Sequence, residues 1–137
     1  MGLMLDSTIV VKAERDGLSV VEMLGALVAK FGDRESAIPA IGAGELLDGL
    51  WRASDPRTRA VRENFLEELF VRVPVREYTL SAARIFGRLD AATRSKGKTV
   101  PVADLLIGAT ALDLGFDVVT SSVRHFRLIP GLKVHRY

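Results

Sequence analysis

The sequence contains no cysteine. Disulfides, thiol nucleophiles and cysteine-ligated zinc are therefore excluded. Aromatic residues make up only 7% and there is a single tryptophan. Trp51 alone makes no stacking platform for bases; a core or partner contact is the reading for it. No uninterrupted apolar run reaches the roughly 20 residues that span a bilayer. The first residues, Met1 to Met4, lack the basic start and long apolar stretch of a secretion signal. A soluble cytoplasmic domain is the expectation. Charge of one sign is also lacking: the formal net charge is +2. Although the sequence pI is about 9.2, nucleic-acid binding would need a demonstrable patch.

What is present is apolar. Hydrophobic residues make up 48% of 137, with a mean hydropathy of +0.21. The length suits one domain, residues 1–137, with a real core. The surplus implies either a generous core or a surface made to be covered. Its densest part is Val102 to Gly115, a predicted helix apolar almost all the way round. At about 100° per residue, Leu105, Ala109 and Leu112 cover one side and Ile107 and Leu114 another. Such a helix lies between other layers. Pro101 precedes it at a tolerated position and Gly115 stops it. Asp104, Gly108, Ala111 and Gly115 share one face, where small residues leave room for close backbone approach. One carboxylate, Asp104, sits in its first turn and needs a reason to be there.

Elsewhere strands and helices alternate. Leu3–Leu5 reads as a buried strand ending at Asp6, with Ser7-Thr8 offering cap chemistry to a short helix. Ser19 and Glu22 form a capping box for a helix over 20–31. Ala37 to Ile41 is a second strand and its exit, followed by a helix over about 43–53. Asp55-Pro56 opens another helix, and Val71 to Val75 alternates like a strand. Thr79 caps a helix over about 80–94, and Ser95 to Thr99 is a basic loop. Asp117–Thr120 is a strand, Ser121 to Phe126 a turn or short helix, and Leu132 to His135 an edge strand. This alternation predicts an α/β fold, a mainly parallel sheet of four to five strands with helices on both faces.

In such a sheet, ligands collect beyond the carboxyl ends of the strands. Asp6 ends the first strand. Glu45 lies early in the helix after the second. Asp104 heads its helix at the same level, and Ser122 follows the strand over 117–120. Asp117 and Asp113 fall at the other side. Each acid alone has a plainer reading: Asp104 as a helix-dipole partner, Glu45 as a solvated acid, Asp6 as a turn or cap residue. Their meeting on one edge favours a joint role. Three close carboxylates repel unless some are protonated or a cation joins them. Oxygen donors with no histidine or cysteine nearby favour Mg²⁺ or Mn²⁺, and so metal-assisted phosphodiester chemistry. His125, beside Phe126, reads as a packing or surface residue.

Four segments resemble a known family. Leu3-Met-Leu-Asp-Ser-Thr-Ile-Val-Val11 is similar to the opening of the PIN-domain ribonucleases, with Asp6 their first acid. Ala40 to Gly49 is similar to the second acidic segment, with Glu45 the acid. Val100-Pro-Val-Ala-Asp-Leu-Leu-Ile-Gly-Ala-Thr-Ala-Leu112 is the most specific match, with Asp104 the third acid. Val119 to Leu132 is similar to the closing segment. Within the family the resemblance is to the VapC-type toxins. It implies a PIN-like three-layer α/β/α sandwich and an Mg²⁺- or Mn²⁺-dependent endoribonuclease acting on structured RNA, such as transfer or ribosomal RNA. It implies a homodimer and a cognate antitoxin of VapB type, with operator DNA reached only through the antitoxin. Asp6, Asp104 and Glu45 would be the catalytic metal ligands, and Ser122, Ser7 and Thr8 would orient them. The chain departs from the pattern at Ser122 and His125, where acids are common in the family. A weak second metal site, completed by the RNA phosphate, is the expectation from that departure.

Two other readings stand beside this one. A catalytically weak PIN-fold module could act by holding RNA or through its antitoxin and DNA. An aspartyl-phosphate phosphotransferase would use Asp6 as nucleophile, but lacks the acid two residues on that such chemistry needs.

Overall fold

Short strands buried on both faces form the centre. In the computed structural model, which describes residues 1–137, β1 (Leu3–Leu5) leads to α1 (Ser7–Arg15) and α2 (Val20–Phe31). Then come β2 (Ser36–Pro39), α3 (Ala40–Arg52), α4 (Pro56–Arg72), β3 (Val75–Arg76) and α5 (Leu80–Ser95). The chain closes with α6 (Val102–Leu114), β4 (Asp117–Thr120), a 3₁₀ turn (Phe126–Leu128) and β5 (Val134–Arg136). The five strands run parallel in the order β3-β2-β1-β4-β5. The expected PIN-like α/β/α sandwich is what the chain forms.

Alternation along each strand builds two cores. Leu3, Leu5, Ile38 and Val119 point to one side, against Ile9, Val20, Met23, Leu27, Leu46, Leu66 and Leu69 of α1–α4. Met4, Ala37 and Val118 point to the other, against Leu89 of α5 and Leu105, Ile107 and Ala109 of α6. Both faces of β1 are covered, so its residues read as a continuous apolar run. The chain winds outward from β1 to β2 and β3, then jumps back across to β4 and β5. The reversal falls between β1 and β4, where Leu5 pairs with Val119 and the Asp6 N–H bonds the Val119 carbonyl at 3.0 Å. That switch point is where a parallel sheet opens a crevice.

The fold departs from the expectations of the sequence in four places. The expected strand over 71–75 shrinks to Val75–Arg76, because α4 runs on through Arg72. Leu66, Leu69 and Val73 are buried at helical spacings of three and four, while Val71 is 86% exposed. The helix predicted from Ala43 starts three residues earlier, at Ala40 directly after Pro39. Ser7 and Thr8 lie inside α1 and do not cap it; Asp6 occupies the cap position. The small-residue face of α6 receives side chains, not backbone: a Cβ on Gly108 would lie 2.6 Å from Ile129 Cδ1. The capping box of Ser19 and Glu22 forms as expected. So does the left-handed stop at Gly115, φ 70°.

Asp117 lies at the opposite end of β4 from the crevice. It accepts Arg34 Nη2 at 2.9 Å and meets His135 Nε2 at 2.8 Å. Burial pushes its carboxyl up, but the bonds from His135 and Arg34 outweigh that and hold it below the usual range. Asp113, at the C-terminal end of α6, is bonded by Thr79 and Ser81. Both acids are structural pins far from the switch point, as their places in the chain imply.

Candidate functional site

Asp6 leaves β1 at the switch point with extended backbone and stands at the N-cap of α1. An aspartate there normally caps the helix with its carboxylate. This one makes no capping bond. Its Oδ2 accepts Thr8 Oγ1 and Thr120 Oγ1, each at 2.8 Å. The two threonines reach it from α1 and from the end of β4. Each hydroxyl has one proton, and with both directed at Asp6 their oxygens accept from the backbone. Ser121 N–H bonds Thr8 at 3.1 Å and Ser122 N–H bonds Thr120 at 3.0 Å. Such chains polarise and strengthen one another. They clamp a carboxylate that is 5% exposed and leave its Oδ1 with no hydrogen-bond donor.

Glu45 projects from the second turn of α3, with Ser7 Oγ donating to its Oε1 at 3.3 Å. Its carboxyl is raised by burial, then by the charge of Asp6, and further by that of Asp104, against the lowering effect of Ser7. Asp104 stands in the first turn of α6. Burial raises its carboxyl most, and Asp6 adds to that, while His125 lowers it. The charge of Asp6, at the end of β1, thus reaches Glu45 on α3 and Asp104 on α6, in keeping with their shared edge of the sheet. They are not drawn into a ligand cage: no three acid or histidine side chains stand at the spacing of one ion's ligands.

The supporting residues divide. Thr8 holds Asp6, and Ser7 holds Glu45. Ser122 acts through its backbone N–H, on Thr120. The neighbouring Ser121 Oγ is buried without a partner. Sequence reasoning missed two residues. Thr120 was visible only as the last residue of a strand; its place beside β1 was the signal. His125 read as a packing or surface residue, yet its Nδ1 lies 3.4 Å from Asp104 Oδ2. The turn that carries it is pinned by buried Val123 and Phe126, and this puts the ring over the start of α6.

An oxygen donor set of three mutually repelling acids, one with a bare oxygen, fits a hard divalent cation. A groove of about 690 Å³ opens beside Ser7 and Glu45, between α1, α3 and α4. Val11, Leu46 and Val61 give it an apolar lining; Arg15 and Arg57 line it too, with Glu45 and an Arg62–Glu14 ion pair. No helix is long and apolar enough to cross a membrane.

No family model matches the chain. It is 32% identical over 130 residues to ribonuclease VapC19 of Mycobacterium tuberculosis, covering 95% of this chain and 96% of that protein. It is 28% identical over 137 residues to ribonuclease VapC of Rickettsia bellii, covering 98% and 95%. The structure of DNA-bound VapBC from Salmonella typhimurium superposes with a TM-score of 0.80 at 27% identity, covering 99% of this chain and 98% of that one.

Proposed function

The chain belongs to the VapC ribonucleases, and from that premise we propose that it is the RNA-cleaving toxin of a toxin–antitoxin pair, dependent on Mg²⁺ or Mn²⁺. The observation that carries the metal is the electrostatic coupling of Asp6, Glu45 and Asp104 at the switch point. Like charges hold such groups apart until a cation offsets them. Asp6 and Asp104 are the proposed ligands, and Glu45 is a ligand or orients water. When bound, the cation would activate water and neutralise charge on the scissile phosphate. Thr8 and Thr120 hold Asp6 by its Oδ2 and leave its Oδ1 without a donor. Ser7 holds Glu45. The targets proposed are structured RNAs such as transfer or ribosomal RNA.

The purified chain is expected to cleave such RNA with Mg²⁺ or Mn²⁺ present and to stop when EDTA is added. Cleavage that persists in EDTA would overturn metal dependence. Binding of RNA without cleavage would favour a holding module instead.

Thr120→Val tests the clamp. It removes one donor to Asp6 and the acceptor for Ser122 N–H, at nearly constant shape. Cation affinity is expected to fall about 10–100-fold, and stability by about 1–3 kcal/mol. Isothermal calorimetry and urea unfolding measure the two separately. Unchanged affinity would mean that Thr8 alone orients Asp6.

A VapB-type antitoxin is the proposed partner, with DNA contacted through it, and a homodimer the proposed assembly. The neighbour from Salmonella typhimurium is such a VapBC complex on DNA. The groove beside Glu45 supports this reading. Its apolar lining suits an amphipathic segment, and Arg15 and Arg57 suit acidic side chains on it.

A further inference from the structure

The net charge of +2 conceals an uneven distribution. Residues 80–137 hold nine Lys and Arg against four Asp and no Glu, while residues 1–79 hold ten against thirteen acids. All four of those aspartates have partners: Asp90 pairs with Arg94, Asp104 with His125, Asp117 with Arg34 and His135, and Asp113 accepts from Thr79 and Ser81. Lys98 and Arg124 are exposed, and neither belongs to an ion pair. Lys98 is not on a loose loop. Gly97 N–H bonds the Arg94 carbonyl at 2.9 Å and Lys98 N–H bonds the Thr93 carbonyl at 3.0 Å, with Gly97 at φ 70°. This Schellman motif closes α5, and buried Thr93 anchors it. The chain then passes through buried Val100 to Pro101, the cap residue of α6. Because α6 runs from the carboxyl edge of the sheet back to β4, the motif stands at the edge that carries Asp104. The turn after β4 leaves from the same edge, and the His125–Asp104 pair brings it to the start of α6, with Arg124 next in the chain. A lysine at the C-terminus of α5 favours its dipole, which accounts for Lys96. That leaves Lys98 and Arg124, which lie toward the positive N-terminus of α6, where a cation is unfavourable.

We infer that Lys98 and Arg124 hold the RNA backbone by its phosphates along the α5–α6 side of the site, and so position the strand over Asp104. This rests on the ribonuclease reading above. Two unpaired cations on separate segments, with a helix N-terminus between them, are complementary to a chain of phosphates. Each phosphate they neutralise releases counterions. Neither segment offers an exposed aromatic, since Phe126 is buried, so the contacts are to backbone and carry little base preference. The groove suited to an amphipathic partner lies elsewhere, between α1, α3 and α4. The strand therefore approaches Asp104 from the side away from that groove.

Unfractionated transfer RNA is the probe, its binding to the intact chain read by fluorescence anisotropy in EDTA across a salt series. Wild-type affinity is expected to fall steeply as salt rises. Lys98→Gln combined with Arg124→Gln should lower the slope of log affinity against log salt by about 1.4–1.8, so that the affinity lost between about 50 and 200 mM salt shrinks roughly 7–12-fold. Each single variant should lose about half of that slope. The charge-keeping pair, Lys98→Arg with Arg124→Lys, should keep the wild-type slope, which separates lost charge from lost fold. Lys133→Gln removes an exposed cation just before β5, at the opposite edge of the sheet, and should also keep it. A wild-type slope in the double glutamine variant overturns the proposal, as does an equal loss in Lys133→Gln. Absence of wild-type binding overturns it too. In each of these cases, cutting of the RNA when Mg²⁺ replaces EDTA leaves the ribonuclease reading standing. A wild type that neither binds nor cuts RNA overturns both.

Discussion

Asp104→Asn leaves the chain folded and lowers metal-dependent RNA cleavage by more than about a hundredfold, beyond the usual cost of losing an outer hydrogen-bond partner to a metal ligand. The side chain keeps its shape and loses the charge that would hold the cation. Growth inhibition on expression is expected to disappear with it. Undiminished cleavage would rule out the assignment. The same variant carries a stability signature of opposite sign. The Asp104 carboxyl is raised above its ordinary value, chiefly by burial and then by Asp6. The charge of His125 and its bond to the carboxyl oppose the rise, and burial with Asp6 outweighs them. A raised carboxyl binds its proton more tightly when folded. Its ionisation therefore costs stability as pH rises from the unfolded value through the folded one, and the whole cost is present at neutral pH. Without metal, Asp104→Asn should melt above the wild type at neutral pH, and the gap should close below about pH 4. Added Mg²⁺ should raise the melting temperature of the wild type far more than that of the variant. A metal-free variant that melts lower at neutral pH would show that the charge stabilises the fold.

Phe126→Ala is expected to cost about 3–5 kcal/mol, the range for emptying a buried aromatic site. A domain of this size has roughly 5–15 kcal/mol in all, so the loss takes at least about a fifth of it. Phe126 is 1% exposed and packs in the core between the sheet and α5–α6. The urea midpoint should fall with the slope unchanged. Because His125 precedes it, loosening the turn should also free the imidazole from Asp104. A loss below about 1 kcal/mol would mean that the turn collapses into the space.

Much of the fold lay in local pattern. The short runs Leu3–Leu5 and Val118–Thr120, the Ser19–Glu22 capping box and the apolar Val102–Leu114 segment each name an element by propensity and end chemistry. Their alternation implies a parallel sheet, and the sheet implies which ends face the crevice. That sufficed to bring Asp6, Glu45 and Asp104 to one edge. The pattern misled over 71–75, where valines at every second position satisfy a strand. The same stretch holds Leu66, Leu69 and Val73 at helical spacing, and the core those residues enter decided the matter.

Periodicity and caps act within a few residues, so the order of elements, the acids and the side of the sheet on which they stand follow from local pattern. How those acids are held depends on long-range packing. Thr8 and Thr120 are 112 residues apart and meet on one carboxylate oxygen. His125 comes to Asp104 only because Phe126 is buried beneath the turn. Such contacts arise where β1 and β4 lie side by side, and chain separation carries no sign of them. Hydrogen bonds and charge coupling depend on distance in space, which packing of the two cores sets.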